Sequence, residues 1–333
     1  MGKKNKQKKR KKKNLPKELP EKFVERLTNI VGSSTLARVM KTFVDKPTTF
    51  RVNTINAKKK EVDAALKEQN YKTKHVSWYD HAYILQNQTK RGLTELDIYK
   101  EGKIYIQSLA SMVPPIILDP KPGEKVLDLT AAPGSKTSQI AALMEKRGEL
   151  LANELNKVRF FRLQHNMEHL GVSDSKDDWD FTLRMEDGSV LCKEYEQYFD
   201  KILVDAPCSG ESRFIQGYPK SYGFWSEHKI KQVAYRQHKL LMAAWFALKP
   251  GGILVYSTCT MAPEENEARI SKLIERFGEE VQVEKITLPN VASIAPILEW
   301  KGKTYHKDVA KTFRMLPTQE VEGFYVARLR KVG

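Results

Sequence analysis

The chain has 333 residues, long enough for two domains and a sizeable core. No apolar run approaches the roughly 20 residues that span a bilayer, and the chain starts with lysines rather than an apolar signal segment. Its three cysteines form no CxxC pair, so neither a disulfide scaffold nor a zinc site is indicated, while a formal charge of +16 points to a polyanionic partner, nucleic acid above all.

Of that +16, nine charges lie between Lys3 and Lys13, which leaves +7 for the remainder. Residues 1–19 read as a disordered basic tail, serving as an RNA-contacting arm, a nuclear address or a solvated end. Beyond it, Pro20-Glu21-Lys22-Phe23 opens a helix, and Ser33 or Ser34 is placed to cap a second one through Leu36, Val39 and Phe43. A strand over 48–55 carries Phe50-Arg51-Val52-Asn53; a helix over 59–69 and extended pieces at 72–76 and 82–86 follow. These elements predict a small N-terminal α/β domain over residues 20–97.

From Gly102 short apolar strands alternate with helices, which predicts a mostly parallel sheet of seven strands with helices on both faces, filling residues 98–333. The strands are expected at 125–129, 149–153, 179–184, 201–204, 252–256, 281–286 and 324–330. The helices are expected at 135–144, 157–170, 227–248 and 263–277. Ligands of such sheets sit beyond the carboxyl ends of the strands.

The loop Asp128-Leu129-Thr130-Ala131-Ala132-Pro133-Gly134-Ser135-Lys136-Thr137 follows the first of these strands and turns into a helix whose free N–H groups favour an anionic group. With one glycine it is not a GxGxxG turn, and a serine between glycine and lysine excludes a P-loop. Glu154 follows the second strand, where an acid binds ribose hydroxyls, and Asp187 follows the third, where it can meet an adenine amino group. Together they point to S-adenosylmethionine.

Two cysteines stand in distinctive settings, Asp205-Ala206-Pro207-Cys208 and Ser257-Thr258-Cys259-Thr260, each just after a predicted strand. A free cysteine is most often a small buried hydrophobe, and Cys192 is read that way. A pair of thiols at the ends of neighbouring strands beside a cofactor loop instead suits methylation of pyrimidine carbon 5. Carbon 5 of cytosine is a poor nucleophile, and a thiolate adding at carbon 6 activates it.

These motifs identify a resemblance to the RsmB-like, or Sun-type, RNA cytosine-5 methyltransferases, running from about Arg51 to Arg330. It is carried by Gln107-Ser108, the Ala131 to Thr137 loop, Asp205-Ala206-Pro207-Cys208-Ser209-Gly210, Ser257-Thr258-Cys259-Thr260 with Pro263-Glu264-Glu265-Asn266-Glu267, and Gly323-Phe324-Tyr325-Val326-Ala327. The chain departs from the family pattern at Gly210-Glu211-Ser212 and at His169. The resemblance implies a Rossmann-like methyltransferase fold with S-adenosylmethionine as donor and a pocket formed by Ala131, Ala132, Pro133, Gly134, Ser135, Lys136, Glu154, Arg159, Asp187 and Asp205. It implies that Cys208 assists product release. It also makes the N-terminal unit similar to the RNA-binding extension of relatives.

Cys259 is the expected nucleophile, favoured by a helix opened at Pro263 and opposed by Glu264 and Glu265; Asp205 is expected to hydrogen-bond the cytosine ring nitrogen or amino group. Arg51 and Asn53 are read equally as RNA contacts or structural hydrogen-bonders. Tyr218, Tyr222 and Trp225 lie in a loop able to stack splayed bases, although packing suits Trp225 better. His228 and His238 have no metal-ligand spacing. The substrate is expected to be transfer or ribosomal RNA, and the protein an intracellular monomer, cytoplasmic or nuclear, free of metal and membrane. The competing readings are a methyltransferase for protein or small molecules, which needs no thiols, and an RNA-binding assembly factor with the fold but little turnover.

Overall fold

A computed structural model describes residues 18–333, so the lysine-rich run lies outside the described residues. Helices α1 (Glu21–Val31) and α2 (Ser33–Met40) meet at Gly32, whose φ of +78° suits a residue without Cβ. Gly32 itself takes the N-cap position of α2, so Ser33 and Ser34 sit within the first turn instead of capping it. Phe23, Leu27, Ile30 and Val31 of α1 bury one stripe, packed with Val39 and Phe43 against Phe214, Tyr222, Met261, Trp300 and Leu316. These two helices therefore cover the later part of the chain rather than the sheet that follows them.

That sheet contains β1 (Thr49–Val52), β2 (Thr73–His75), β3 (Ala82–Leu85) and β4 (Ile104–Ile106), antiparallel in the order β2-β3-β1-β4. Helices α3 (Lys59–Glu68), α4 (Lys90–Glu95) and α5 (Asp97–Lys100) connect its strands. Phe50, Val52, Val62, Leu66, Leu85, Leu93 and Ile104 form its core. The boundary expected at residue 97 falls inside this unit, because β4 pairs with β1 through Phe50 and Ile106.

Next comes α6 (Leu109–Leu118), a helix that the sequence hides behind Pro114 and Pro115, both lacking an N–H. Ser108 caps it, and eight of its ten residues are buried, so tertiary packing offsets the lost hydrogen bonds.

The large sheet follows: β5 (Lys125–Asp128), α7 (Ser135–Leu143), β6 (Gly148–Asn153), α8 (Lys157–His169), β7 (Trp179–Arg184), α9 (Gly188–Leu191), β8 (Phe199–Asp205), α10 (Glu227–Ala247), β9 (Leu248–Thr258), α11 (Glu267–Phe277) and β10 (Val281–Glu284). The chain ends with β11 (Ser293–Ile294), the small hairpin β12 (Glu299–Trp300) and β13 (Lys303–Thr304), then β14 (Phe313–Met315) and β15 (Phe324–Lys331). The strand order is β11-β14-β15-β9-β8-β5-β6-β7, with β10 on the other half of the β15 edge. Strands β9, β8, β5, β6 and β7 are parallel and β15 runs against them. All seven expected strands are present. The sheet is larger than expected by β11 and β14, too short to show alternation.

Successive strand residues face opposite sides, so Leu127, Leu151, Ile202 and Leu254 pack under α10 and α11 with Leu241, Trp245 and Ile270. Val126, Leu150, Leu203 and Ile253 pack the other way, on Val113, Ile140, Leu163 and Met167 of α6, α7 and α8. Strands buried on both faces read as unbroken apolar runs, which is why they are legible. Truncating Trp245, 1% exposed, is expected to cost about 3–5 kcal/mol. No described helix is long and apolar enough to cross a membrane. Because β6 and β8 flank β5 on opposite sides, the loops leaving β5 and β8 part from each other and open a crevice.

Candidate active site

A cavity of about 1650 Å³ fills that crevice. Ala131, Ala132, Pro133, Ser135 and Lys136 line it from the β5 loop, Glu154 and Arg159 from beyond β6, Asp187 from beyond β7, and Asp205, Cys208 and Cys259 from β8 and β9. Gly134 departs from expectation by facing away, toward α8. Its φ is +101°, and a Cβ there would stand 2.5 Å from Met167 Cε and 3.0 Å from Leu163 Cδ1. Close packing on α8 and a left-handed backbone both require glycine there.

Among the bonds that hold the loop, Gly134 N–H donates to Ala131 O (2.8 Å), Ala131 N–H to Asn153 O (2.8 Å), Asn166 Nδ2 to Pro133 O (2.6 Å) and Arg159 Nη2 to Ala132 O (2.5 Å). Below it, Asp128 accepts from Thr137 Oγ1 at 2.7 Å, and burial pushes its carboxyl up to about 7. Glu154 Oε1 accepts from Asn156 N at 2.9 Å; Oε2 lies 3.2 Å from Arg159 Nη1 without hydrogen-bond alignment and is buried without a donor. Asp187 accepts from Ser189 Oγ (2.7 Å) and Ser189 N (2.9 Å), which hold its carboxyl below the usual range.

At the far side, Asp205 is paired with Lys136 Nζ at 2.7 Å and accepts from Ser257 Oγ at 2.8 Å. Lys136 also donates to Ser111 Oγ at 2.7 Å. An acid with an unused buried oxygen, a second charged acid and a helix start at the other end fit a nucleoside carrying an amino-acid tail.

The two thiols converge because β8 and β9 are parallel neighbours with Asp205 opposite Ser257. Cys208 and Cys259, both free, stand with their sulfurs 3.1 Å apart. Cys259 is buried and Cys208 half-buried. The Cys208 S–H bond lowers the Cys259 thiol most, burial opposes, and the Arg213 guanidinium adds to the lowering, so that Cys259 is drawn down to about 7. Cys208 is pushed up by the same contact, in which either sulfur can donate.

The expected helix start at Pro263 does not contribute. Residues 262–266 form turns, and α11 begins only at Glu267. The two acids expected to oppose a thiolate are also muted: Arg26 holds both oxygens of Glu264 at 3.0 and 2.7 Å, and burial pushes Glu265 up to about 8. Beneath the thiols, Ser209 Oγ and Thr260 Oγ1 lie 2.7 Å apart, and Thr260 donates to Glu211 Oε2 at 2.9 Å. Ser209 N–H and Gln237 Nε2 both donate to Glu265 Oε2 at 2.9 Å. This floor ties the two cysteine loops together.

Residues 115–330 match the family described as 16S rRNA methyltransferase RsmB/F. The chain belongs to the RsmB/F methyltransferase family. Residues 19–109 match the N-terminal domain of 16S rRNA methyltransferase RsmF, ending just past β4. The tRNA (cytosine(49)-C(5))-methyltransferase of Pyrococcus abyssi is 38% identical over 285 residues, 85% of this chain and 87% of that one. The ribosomal RNA small subunit methyltransferase F of Vibrio atlanticus is 35% identical over 85% of this chain, which spans 57% of that relative's length. In fold, the chain resembles NSun6 from Pyrococcus horikoshii, solved with SFG, with a TM-score of 0.77 and 23% identity over 95% of this chain and 99% of that one. S-adenosylmethionine is the methyl donor of this RsmB/F protein.

The remaining residues of this family member divide between internal packing and the cavity rim. Arg51 and Asn53 are fully buried, Asn53 donating to Gly102 O and Leu170 O at 2.8 and 2.9 Å, so neither faces an RNA backbone. Trp225 packs edge-on against Phe23 and donates to Glu211 Oε1 at 2.8 Å. Tyr222 is buried and Tyr218 exposed, while Phe224 and Tyr235, exposed at the rim, line the cavity beside Arg236 and Lys239. Ser111, Arg213 and Phe224 were not anticipated. Ser111 sits on the hidden helix, whereas an aromatic beside Trp225 was a signal available for Phe224. Cys192 is buried, pushed up to about 12 and away from the site. Among the described residues no group of three or more His, Cys, Asp or Glu is placed to hold a metal.

Proposed function

We propose that this protein methylates carbon 5 of cytosine in RNA through a transient bond between Cys259 and carbon 6. The observation that carries this reading is the sulfur pair, 3.1 Å apart, opening onto the donor cavity. Transfer to an oxygen or nitrogen needs no thiol. Glu154 would hold the ribose, Asp187 the adenine, and the Ala131–Lys136 loop the amino-acid end of the donor.

Drawn below the ordinary thiol range, Cys259 supplies the thiolate that adds to carbon 6. The electron pair of the 5,6 double bond moves toward carbon 5 and the ring. Asp205, fixed by Lys136 and Ser257, accepts a hydrogen bond from the cytosine amino group, or from the ring nitrogen once protonated. S-adenosylmethionine, when bound, supplies the electrophilic methyl group. Once the Cys259 sulfur is bonded its charge is gone, and with it the main force keeping Cys208 a thiol. Cys208 can then lose its proton to the open cavity and take the one on carbon 5. The carbon 6–sulfur bond breaks, the double bond reforms, and Cys259 leaves as thiolate.

The rim supports RNA as substrate: Phe224 and Tyr235 offer faces for unstacked bases, and Arg236 and Lys239 offer charge for phosphates. The wider coverage of the Pyrococcus abyssi relative favours transfer RNA over ribosomal RNA. The N-terminal unit, residues 18–106, is assigned to holding that RNA. The thiol roles are tested on a denaturing gel. Cys208→Ala should transfer methyl once and accumulate a covalent RNA–protein band; Cys259→Ala should give neither product nor band. Equal loss in both variants without a band would contradict the assignment.

A further inference from the structure

Arg51, on β1 of the N-terminal sheet, is 0% exposed, yet every acceptor around it is neutral. Its Nε donates to Gln107 Oε1 (2.8 Å), Nη2 to Ser138 Oγ (2.6 Å) and Ser135 O (3.4 Å), and Nη1 to Val52 O (3.5 Å). The Tyr105 ring lies 5.6 Å from the guanidinium carbon. Arg314, the other arginine among the fully buried side chains, is held by both oxygens of Glu267 at 2.5 and 2.7 Å. A buried charge ordinarily has such a partner, because leaving water unpaired is costly. Arginine keeps its charge regardless.

The place of this lone charge is specific. Ser135 and Ser138 belong to the first turn of α7, directly after the cofactor loop, and Ser135, Gln107 and Tyr105 all line the donor cavity. Arg51 therefore stands one layer behind the cavity wall. Lys136, the cation on the first turn of α7 that lines the cavity, is already neutralised by Asp205. Gln107 extends the contact, donating from Nε2 to Gln139 Oε1 at 3.0 Å, so the N-terminal sheet is bonded to α7 at two points.

We propose that Arg51 is a positioning residue for the methyl donor: its unpaired guanidinium, bonded to the first turn of α7, adds positive potential where the donor's carboxylate docks. The missing anion is supplied by the ligand. The N-terminal sheet is then part of the cofactor site as well as an RNA-binding extension, and donor binding strengthens the attachment of the two units by the reciprocity of linked equilibria.

Calorimetric titration of Arg51→Gln with two ligands tests this. S-adenosylmethionine has the carboxylate; 5′-methylthioadenosine shares the nucleoside and sulfur and lacks the amino-acid end. The expected result is about a tenfold loss of affinity for S-adenosylmethionine, no change for methylthioadenosine, and substantial recovery in Arg51→Lys. Equal weakening of both ligands would mean a purely structural link and overturn the proposal, as would no loss at all. If Arg51→Gln fails to fold, Ser138→Ala removes the 2.6 Å bond with a smaller perturbation and must shift the same ratio in the same direction, an unchanged ratio again overturning it. Because binding and not turnover is read, the outcome is independent of the thiol chemistry.

Discussion

The donor end and the thiol end of the crevice are built on opposite plans. At the donor end two acids stay open to a ligand, Asp187 held ionised and Glu154 with a buried oxygen unused, while Asp128 beneath the loop is pushed up by burial. At the thiol end two carboxylates, Glu211 and Glu265, are both pushed up by burial and absorbed into a floor under Cys208 and Cys259. The contrast teaches that one end awaits a ligand's hydrogen bonds, whereas the other spends its own to fix a distance between two sulfurs. Substitutions should separate accordingly, the first class altering affinity and the second altering rate and stability.

The largest expected effect is at the thiol end. Cys259→Ala should leave no measurable methyl transfer in a radiolabelled-methyl assay while its affinity for S-adenosylmethionine stays within about twofold of wild type, since a nucleophile acts only in the chemical steps. At the donor end, Glu154→Gln should weaken S-adenosylmethionine by about tenfold, about 1.4 kcal/mol, with transfer restored at saturating donor. Loss of rate at saturation would blur the division.

The next effect is on stability. Folded Glu265 keeps its proton up to about 8, above its unfolded value of 4.5, so this group's contribution is present at low pH and is lost as pH rises between those values. Thermal denaturation at about pH 5 and about pH 8 should therefore differ less in Glu265→Gln than in wild type. The smallest effect is a shift of profile. In the proposed reaction the thiolate is the active form, so the single-turnover rate should rise with pH through about 7, and Arg213→Gln should move that midpoint upward while the sulfur–sulfur contact persists.

Much of this architecture is written locally. Strands β5, β8 and β9 carry apolar runs buried on both faces, β7 and β10 alternate apolar with polar residues, and the two cysteine motifs follow β8 and β9, so parallel pairing brings them together. What sequence reasoning misplaced depends on partners far along the chain. Pro114 and Pro115 disguise α6, whose packing decides its helicity. Gly134 reads as a ligand glycine but is demanded by Met167 and Leu163 of α8. Pro263 looks like a helix start, yet the chain turns until Glu267 is seized by Arg314. Arg213 carries no motif of its own, and its effect on Cys259 appears only once the loop after Gly210 is folded over the thiols.

The central step of the proposed reaction is the bond from the Cys259 sulfur to the base. RNA containing 5-fluorocytosine cannot release the carbon 5 substituent as a proton, so methylation should stall with the RNA attached. Mass spectrometry of the digested complex should find the nucleotide on the peptide carrying Cys259, together with a transferred methyl group. Recovery of a methylated but unattached RNA, or attachment at Cys208 in its place, would contradict the account.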